Sequence, residues 1–128
     1  MAPFDKLLAF QKSYDFGLAI LQSTEGWPKR EMFGLSSQAR RAGTSISINI
    51  AEGVAKRGRN ELRRYLDIAL GSLAETQVLL RFAKDMKFIT DEEASTLEEA
   101  REEAGRLTWG LYQATIRGRG RPQSTATK

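Results

Sequence analysis

Four stretches of this chain repeat apolar residues every three or four positions, and the gaps between them are short. That spacing builds helices with one buried stripe, and short gaps make consecutive helices antiparallel. The expected fold is therefore all-α, an antiparallel up-down four-helix bundle. The first segment, about Asp5 to Ser23, carries Phe4, Leu7, Leu8, Gln11, Tyr14, Leu18 and Leu21 at helical spacing. Thr24-Glu25-Gly26-Trp27-Pro28 breaks it, because Pro28 disfavours helical geometry at Trp27. Trp27 is expected to pack as a lid over the bundle end.

The second segment starts near Leu35, with Ser36 and Ser37 as candidate caps. Its stripe reads Leu35, Ala39, Ala42, Gly43, Ile46, Ile50 and Gly53. The small residues in its middle would let a neighbouring helix approach closely. Gly53 ends the periodic run and is expected to be a C-terminal cap. A basic connection, Lys56-Arg57-Gly58-Arg59-Asn60, leads to a third helix from Asn60, its candidate cap, to about Met86. Leu62, Leu66, Ala69, Leu73, Leu80 and Ala83 form one face of it, and Tyr65, Ile68, Leu79 and Phe82 a second. A helix apolar on two sides is buried on two sides, so a subunit interface is expected. Thr90 with Glu93 forms a capping box for the fourth helix. That helix places Ala94, Leu97, Ala100, Ala104, Leu107, Leu111 and Ala114 on one face and ends near Ile116.

At 128 residues the chain suits one domain, placed at 1–116. Residues 117–128, with Arg117-Gly118-Arg119-Gly120-Arg121-Pro122, form an expected disordered basic Arg/Gly tail. Such a tail either touches nucleic acid through charge or serves solubility. The chain has neither cysteine nor histidine. Disulfides, Cys and His nucleophile–base pairs, nearly all zinc sites and Glu-x-x-His di-iron ligands are thereby excluded. No metal and no cofactor is expected, and with no activated nucleophile in view, no enzyme. No stretch is apolar enough to cross a membrane, and Met1 to Lys6 lacks the layout of a signal peptide. A cytoplasmic location is the expectation.

Charge is unevenly spread. Residues 29–64 hold nine cations and three carboxylates, a net of +6, whereas residues 91–103 hold one arginine and seven carboxylates, a net of −6. This polarity suits either a polyanionic ligand or pairing with another copy of the chain. The acidic run reads as a solvated face that complements the helix dipole. Arg40, Arg41, Lys56, Arg57, Arg59, Arg63 and Arg64 are the candidate phosphate contacts. Asn49, Glu52, Ser72 and Glu75 sit on or beside apolar faces and need partners, with Arg41, Arg64 and Asn49 available to the two carboxylates. They form either a polar network that fixes helix register or part of a functional surface. Carboxylates beside arginines have lowered pKa values, which argues against a general acid.

Phe33-Gly34-Leu35-Ser36-Ser37-Gln38-Ala39-Arg40-Arg41-Ala42 and Ser45-Ile46-Ser47-Ile48-Asn49-Ile50-Ala51-Glu52-Gly53 resemble the signature of the bacterial four-helix bundle family named for the 23S rRNA intervening sequence. Tyr65-Leu66-Asp67-Ile68-Ala69-Leu70-Gly71-Ser72-Leu73-Ala74-Glu75-Thr76 looks like the third-helix motif of that family. The likeness spans residues 5–116 and extends to the accessory protein of diversity-generating retroelements. It implies a ring-shaped homopentamer. For the accessory proteins it further implies basic surfaces that bind nucleic acid and contact a reverse transcriptase. The sequence departs from the family where a proline is common, at Ser47 and Ile48, and has Phe10 where tryptophan is common and Trp27-Pro28 where Phe-Pro is usual. The expected function is a non-enzymatic, oligomeric nucleic-acid-binding accessory protein for RNA or structured DNA. The alternative is a homo-oligomeric scaffold or protein-interaction module with no nucleic-acid ligand.

Overall fold

Small residues decide how these helices meet. The computed structural model describes residues 2–117 and contains four α-helices: α1 Leu8–Thr24, α2 Leu35–Ala55, α3 Arg59–Asp85 and α4 Asp91–Ile116. A 3-10 turn, Lys29–Glu31, lies between α1 and α2. No strand occurs among the described residues. Each helix packs on the two beside it in a closed square, α1 on α2 and α4, α3 on α2 and α4. From position 118 onward, the expected Arg/Gly tail lies outside the described residues.

The stripes of α2, α3 and α4 face the core as expected, with Ile46, Ile50, Leu62, Leu66 and Leu111 essentially sealed from solvent. The expected stripe of α1 reaches the core only at its start, where Leu7 is buried and Phe4 packs against it. Tyr14, Leu18 and Leu8 are exposed, and the core face is instead Ala9, Ser13, Phe16, Gly17, Ile20 and Thr24. The cause is the α1–α2 contact. A Cβ on Gly17 would stand 2.9 Å from the Gly43 carbonyl oxygen, and one on Gly43 would stand 2.9 Å from Ile20 Cδ1. Two glycines thus set the two backbones together, and this contact fixes the rotation of α1 about its axis.

Three expected helix ends are corrected. Gly53 does not cap α2, which continues to Ala55. A Cβ on Gly53 would lie 2.9 Å from Tyr65 Cβ and 3.1 Å from Leu62 Cδ1, so this glycine admits α3. The turn instead uses Gly58, at φ +97, a conformation that glycine adopts freely. Asn60 is not the cap of α3, because the helix already begins at Arg59. Ser36 and Ser37 do not cap α2 either; the Glu31 carboxylate accepts the Leu35 N–H at 3.1 Å.

The opposite end is closed by aromatic packing. Trp27 is buried, its ring centroid 5.9 Å from that of Phe88, and its indole N–H donates to Ser23 Oγ at 3.2 Å. Ser23 in turn donates to Glu93 Oε2 at 2.8 Å, tying α1 to α4. Thr90 Oγ1 accepts the Glu93 N–H at 3.0 Å. Half of the expected capping box therefore forms, and the Glu93 side chain reaches across to α1 instead.

Candidate nucleic-acid interface

The seven candidate cations fall into two groups, separated by the length of α2. With a rise of about 1.5 Å per residue, positions 40 and 56 stand about 24 Å apart along that helix. Arg40 and Arg41 belong to the end closed by Trp27, where Arg40 Nη1 donates to Thr24 Oγ1 at 3.1 Å. Lys56, Arg57, Arg59, Arg63 and Arg64 gather at the α2–α3 turn. The up-down order brings the start of α1 and the end of α4 to this same side of the bundle.

The turn is built from Gly53 outward. Because α2 has no side chain there, α3 starts close against it and Tyr65 is set beside the end of α2. The Arg64 guanidinium lies 4.8 Å from the Tyr65 ring centroid, and Lys56 Nζ lies 5.7 Å from it. These cation–π contacts hold two cations over one partly exposed ring. Arg64 also pairs with Glu61 at 3.5 Å, and Arg63 Nη2 donates to Asn60 Oδ1 at 3.2 Å. Arg57 and Arg59 are exposed and enter no ion pair with a described residue. Arg59 occupies the first turn of α3, the positive end of that helix dipole. Charge and dipole there have the same sign.

The expected polar network is smaller and differently composed. Asn49 Nδ2 donates to the Ser45 carbonyl at 2.8 Å and to Ser45 Oγ at 2.9 Å, and Ser72 Oγ donates to Ser45 Oγ at 2.9 Å. Asn49 and Ser72 are thus joined across α2 and α3, but through Ser45, which the sequence reading did not single out. Glu52 and Glu75 are exposed and stand outside this network. Arg41 and Arg64 therefore pair with neither. Spacing could have found Ser45, one helical turn before Asn49.

The acidic stretch of α4 is partly self-neutralised. Arg101 Nε and Nη2 grip the Glu98 carboxylate at 2.9 and 2.6 Å. That hydrogen bonding holds the Glu98 carboxyl below the usual carboxylate range, against an opposing push from burial, and raises the Arg101 guanidinium. Among the described residues no three His, Cys, Asp or Glu side chains converge on a metal-sized site. No helix among them is long and apolar enough to cross a membrane.

Large apolar side chains remain outside the core: Tyr14 and Leu18 on α1, Ile48 on α2, Ile68, Val78 and Phe82 on α3, and Trp109 on α4. The second apolar face expected on α3 is therefore divided, with Leu79 inside and Ile68 and Phe82 outside.

Comparison with known proteins agrees with this architecture. No protein of curated function matches the chain. A crystal structure of a protein of unknown function from the S23 ribosomal protein family of Bacteroides thetaiotaomicron superposes with a TM-score of 0.77 at 26% identity, covering 83% of this chain and 99% of that one. The profile of the 23S rRNA-intervening sequence protein family matches residues 5–110. With most of the bundle matched in one continuous span, the chain belongs to the 23S rRNA-intervening sequence protein family.

Proposed function

We propose that the protein is a non-enzymatic, cytoplasmic, homo-oligomeric nucleic-acid-binding accessory protein whose contact face is the α2–α3 end. The observation that carries this reading is Arg57 and Arg59, exposed at a glycine turn, free of ion pairs with described residues, and seated where the α3 dipole is positive. Lys56, Arg63 and Arg64 extend the positive field. Cations in this arrangement suit phosphates, which position a strand without reading its sequence. RNA or structured DNA is the ligand class, and the rRNA association in the family name supports RNA. Arg40 and Arg41 are left out of this face by their distance from it.

Self-association is part of the proposal. Tyr14, Leu18 and Ile48 on one side and Ile68, Val78 and Phe82 on another are exposed apolar surfaces of the kind that subunits cover. A five-membered ring would multiply weak phosphate contacts through avidity. These same surfaces favour a second reading, a scaffold that binds protein alone, whether further copies of itself or a partner such as a reverse transcriptase.

A salt titration of RNA and DNA binding separates the two. The first reading expects log affinity to fall linearly with log salt, and Arg57→Gln with Arg59→Gln to reduce the slope by about 0.9 per lost phosphate contact. Undetectable binding at low salt, or an unchanged slope in the double variant, leaves the scaffold. Sedimentation across ionic strength tests assembly separately: an apolar interface survives high salt, whereas a charge-paired one dissociates.

A further inference from the structure

Arg40 and Arg41, excluded from the basic turn, line a cavity of their own. It measures about 560 Å³ and lies between the end of α1, the 3-10 turn and the first turns of α2. Thr24, Trp27, Lys29, Ser36, Arg40 and Arg41 line it, and Glu25 is the carboxylate among its lining residues. Three cations against one carboxylate make it electropositive.

Two details show preorganisation for an anion. Thr24 Oγ1 donates to the Leu21 carbonyl at 2.9 Å, so it can only accept from Arg40, and this orients the guanidinium at the cavity wall. The Ser36 side chain lines the cavity and makes no hydrogen bond to a described residue, and although the residue as a whole is only 7% exposed, its hydroxyl is open to the cavity rather than sealed in the core. An accessible hydroxyl with no partner in the protein is a donor available to whatever enters the cavity. The start of α2 is already complemented by Glu31, whose carboxylate accepts the Leu35 N–H at 3.1 Å, so the side chains of the cavity wall, not that helix end, supply the groups for an anion.

We propose that this cavity is a binding site for a phosphate monoester, with Arg40, Arg41 and Lys29 neutralising the charge and the Ser36 hydroxyl donating to a phosphate oxygen. The volume exceeds that of bare phosphate and falls within the range of small-molecule sites, so it has room for the group that the phosphate carries. That group is either a free nucleotide or the terminal nucleotide of a strand, since both present the same monoester. The site is distinct from the α2–α3 end, and its failure would leave the RNA reading standing.

The test uses the full chain with Trp109→Phe, which replaces an exposed tryptophan and leaves Trp27, at the cavity, as the only fluorophore of its kind. Titration with inorganic phosphate and with adenosine monophosphate is expected to give a saturable change in Trp27 emission that sodium chloride at equal ionic strength does not. Arg40→Gln is expected to weaken binding about tenfold, the loss of one charge-assisted hydrogen bond, and Ser36→Ala to weaken it less. Should Arg40→Gln disturb folding through Thr24, Arg41→Gln carries the same expectation without that contact. Oligoribonucleotides with and without a 5′-phosphate then identify the source: tighter binding of the phosphorylated strand than of the mononucleotide assigns the strand end, and equal binding assigns the free ester. No saturable change beyond that of chloride, or affinities unmoved in both arginine variants, overturns the proposal.

Discussion

Helices α3 and α4 begin in opposite ways. The first turn of α3 follows Lys56, Arg57 and Gly58 and opens with Arg59, placing like charge on the positive end of the dipole. The first turn of α4 carries Asp91, Glu92 and Glu93 behind a Thr90 cap, the arrangement that stabilises a helix start. One end of the bundle is thus optimised for stability and knitted to α1 through Ser23. The other gathers cations, of which Arg57 and Arg59 enter no ion pair with a described residue, and Arg59 sits against the helix dipole at a local cost to the fold. Where a sequence places charge against the preference of its own helix, a ligand of opposite charge gains most. The contrast supports the proposed contact face at the α2–α3 end better than net charge does.

The contrast breaks if the basic end proves to be loosely packed rather than deliberately built, and Gly53 decides this. Gly53→Val would force a branched side chain against Tyr65 Cβ and Leu62, where even a Cβ stands at 2.9 and 3.1 Å. A loss of about 3 kcal/mol in urea unfolding is expected, the upper range for overpacking. At the other end, Gly26 has only the Ser23 carbonyl within reach, at 3.7 Å. Gly26→Ala should therefore change stability by less than about 0.5 kcal/mol, as surface substitutions do. Equal effects at both positions would mean that α3 is not held against α2 by this contact.

The two turns flanking α3 sharpen the comparison at a smaller scale. Gly58 sits at φ +97, ψ 149, a region open essentially to glycine alone. Lys87 sits at φ +64, following a helix end closed by Phe88 N–H to the Ala83 carbonyl and Lys87 N–H to that of Lys84, at 2.8 and 2.9 Å. This is a Schellman ending with lysine where glycine is usual. Gly58→Ala should cost about 2 kcal/mol, whereas Lys87→Gly should gain about 1 kcal/mol by relieving left-handed strain. Thermal or urea unfolding of both variants checks the opposite signs.

The sequence revealed the bundle because large apolar residues on α2, α3 and α4 repeat at helical spacing. It misled on α1 because Ala9, Ser13 and Gly17, which share the core face with Phe16 and Ile20, add little to an apolar count, while Tyr14 and Leu18 add much and face outward. Gly53 and Gly58 show the same limit. Both look like punctuation, yet one is a packing contact and the other a backbone requirement, and only distance and dihedral angle separate these roles. The candidate site was half legible. Counting charge along residues 29–64 merges two groups that α2 holds apart, and pairing Glu52 and Glu75 with arginines overlooked Ser45, whose short side chain alone bridges Asn49 and Ser72.

Glu61 carries the smallest effect and the most discriminating one. It is the acidic residue in the first turn of α3, and it pairs with Arg64 at 3.5 Å with both side chains half exposed or more. Glu61→Gln removes a screened surface pair and one favourable dipole contact, so stability should fall by only about 0.5 kcal/mol. Nucleic-acid affinity should move the other way. The variant adds one unit of positive charge to the contact face and releases Arg64 to reach a phosphate, so binding should tighten and the salt dependence steepen by up to about 0.9. Opposite signs for folding and binding at one residue are what a face built for an anion requires. If Glu61→Gln weakens both, the carboxylate serves instead to hold Arg64 over Tyr65 in the geometry that binding uses, and positioning outweighs field at this end of the bundle.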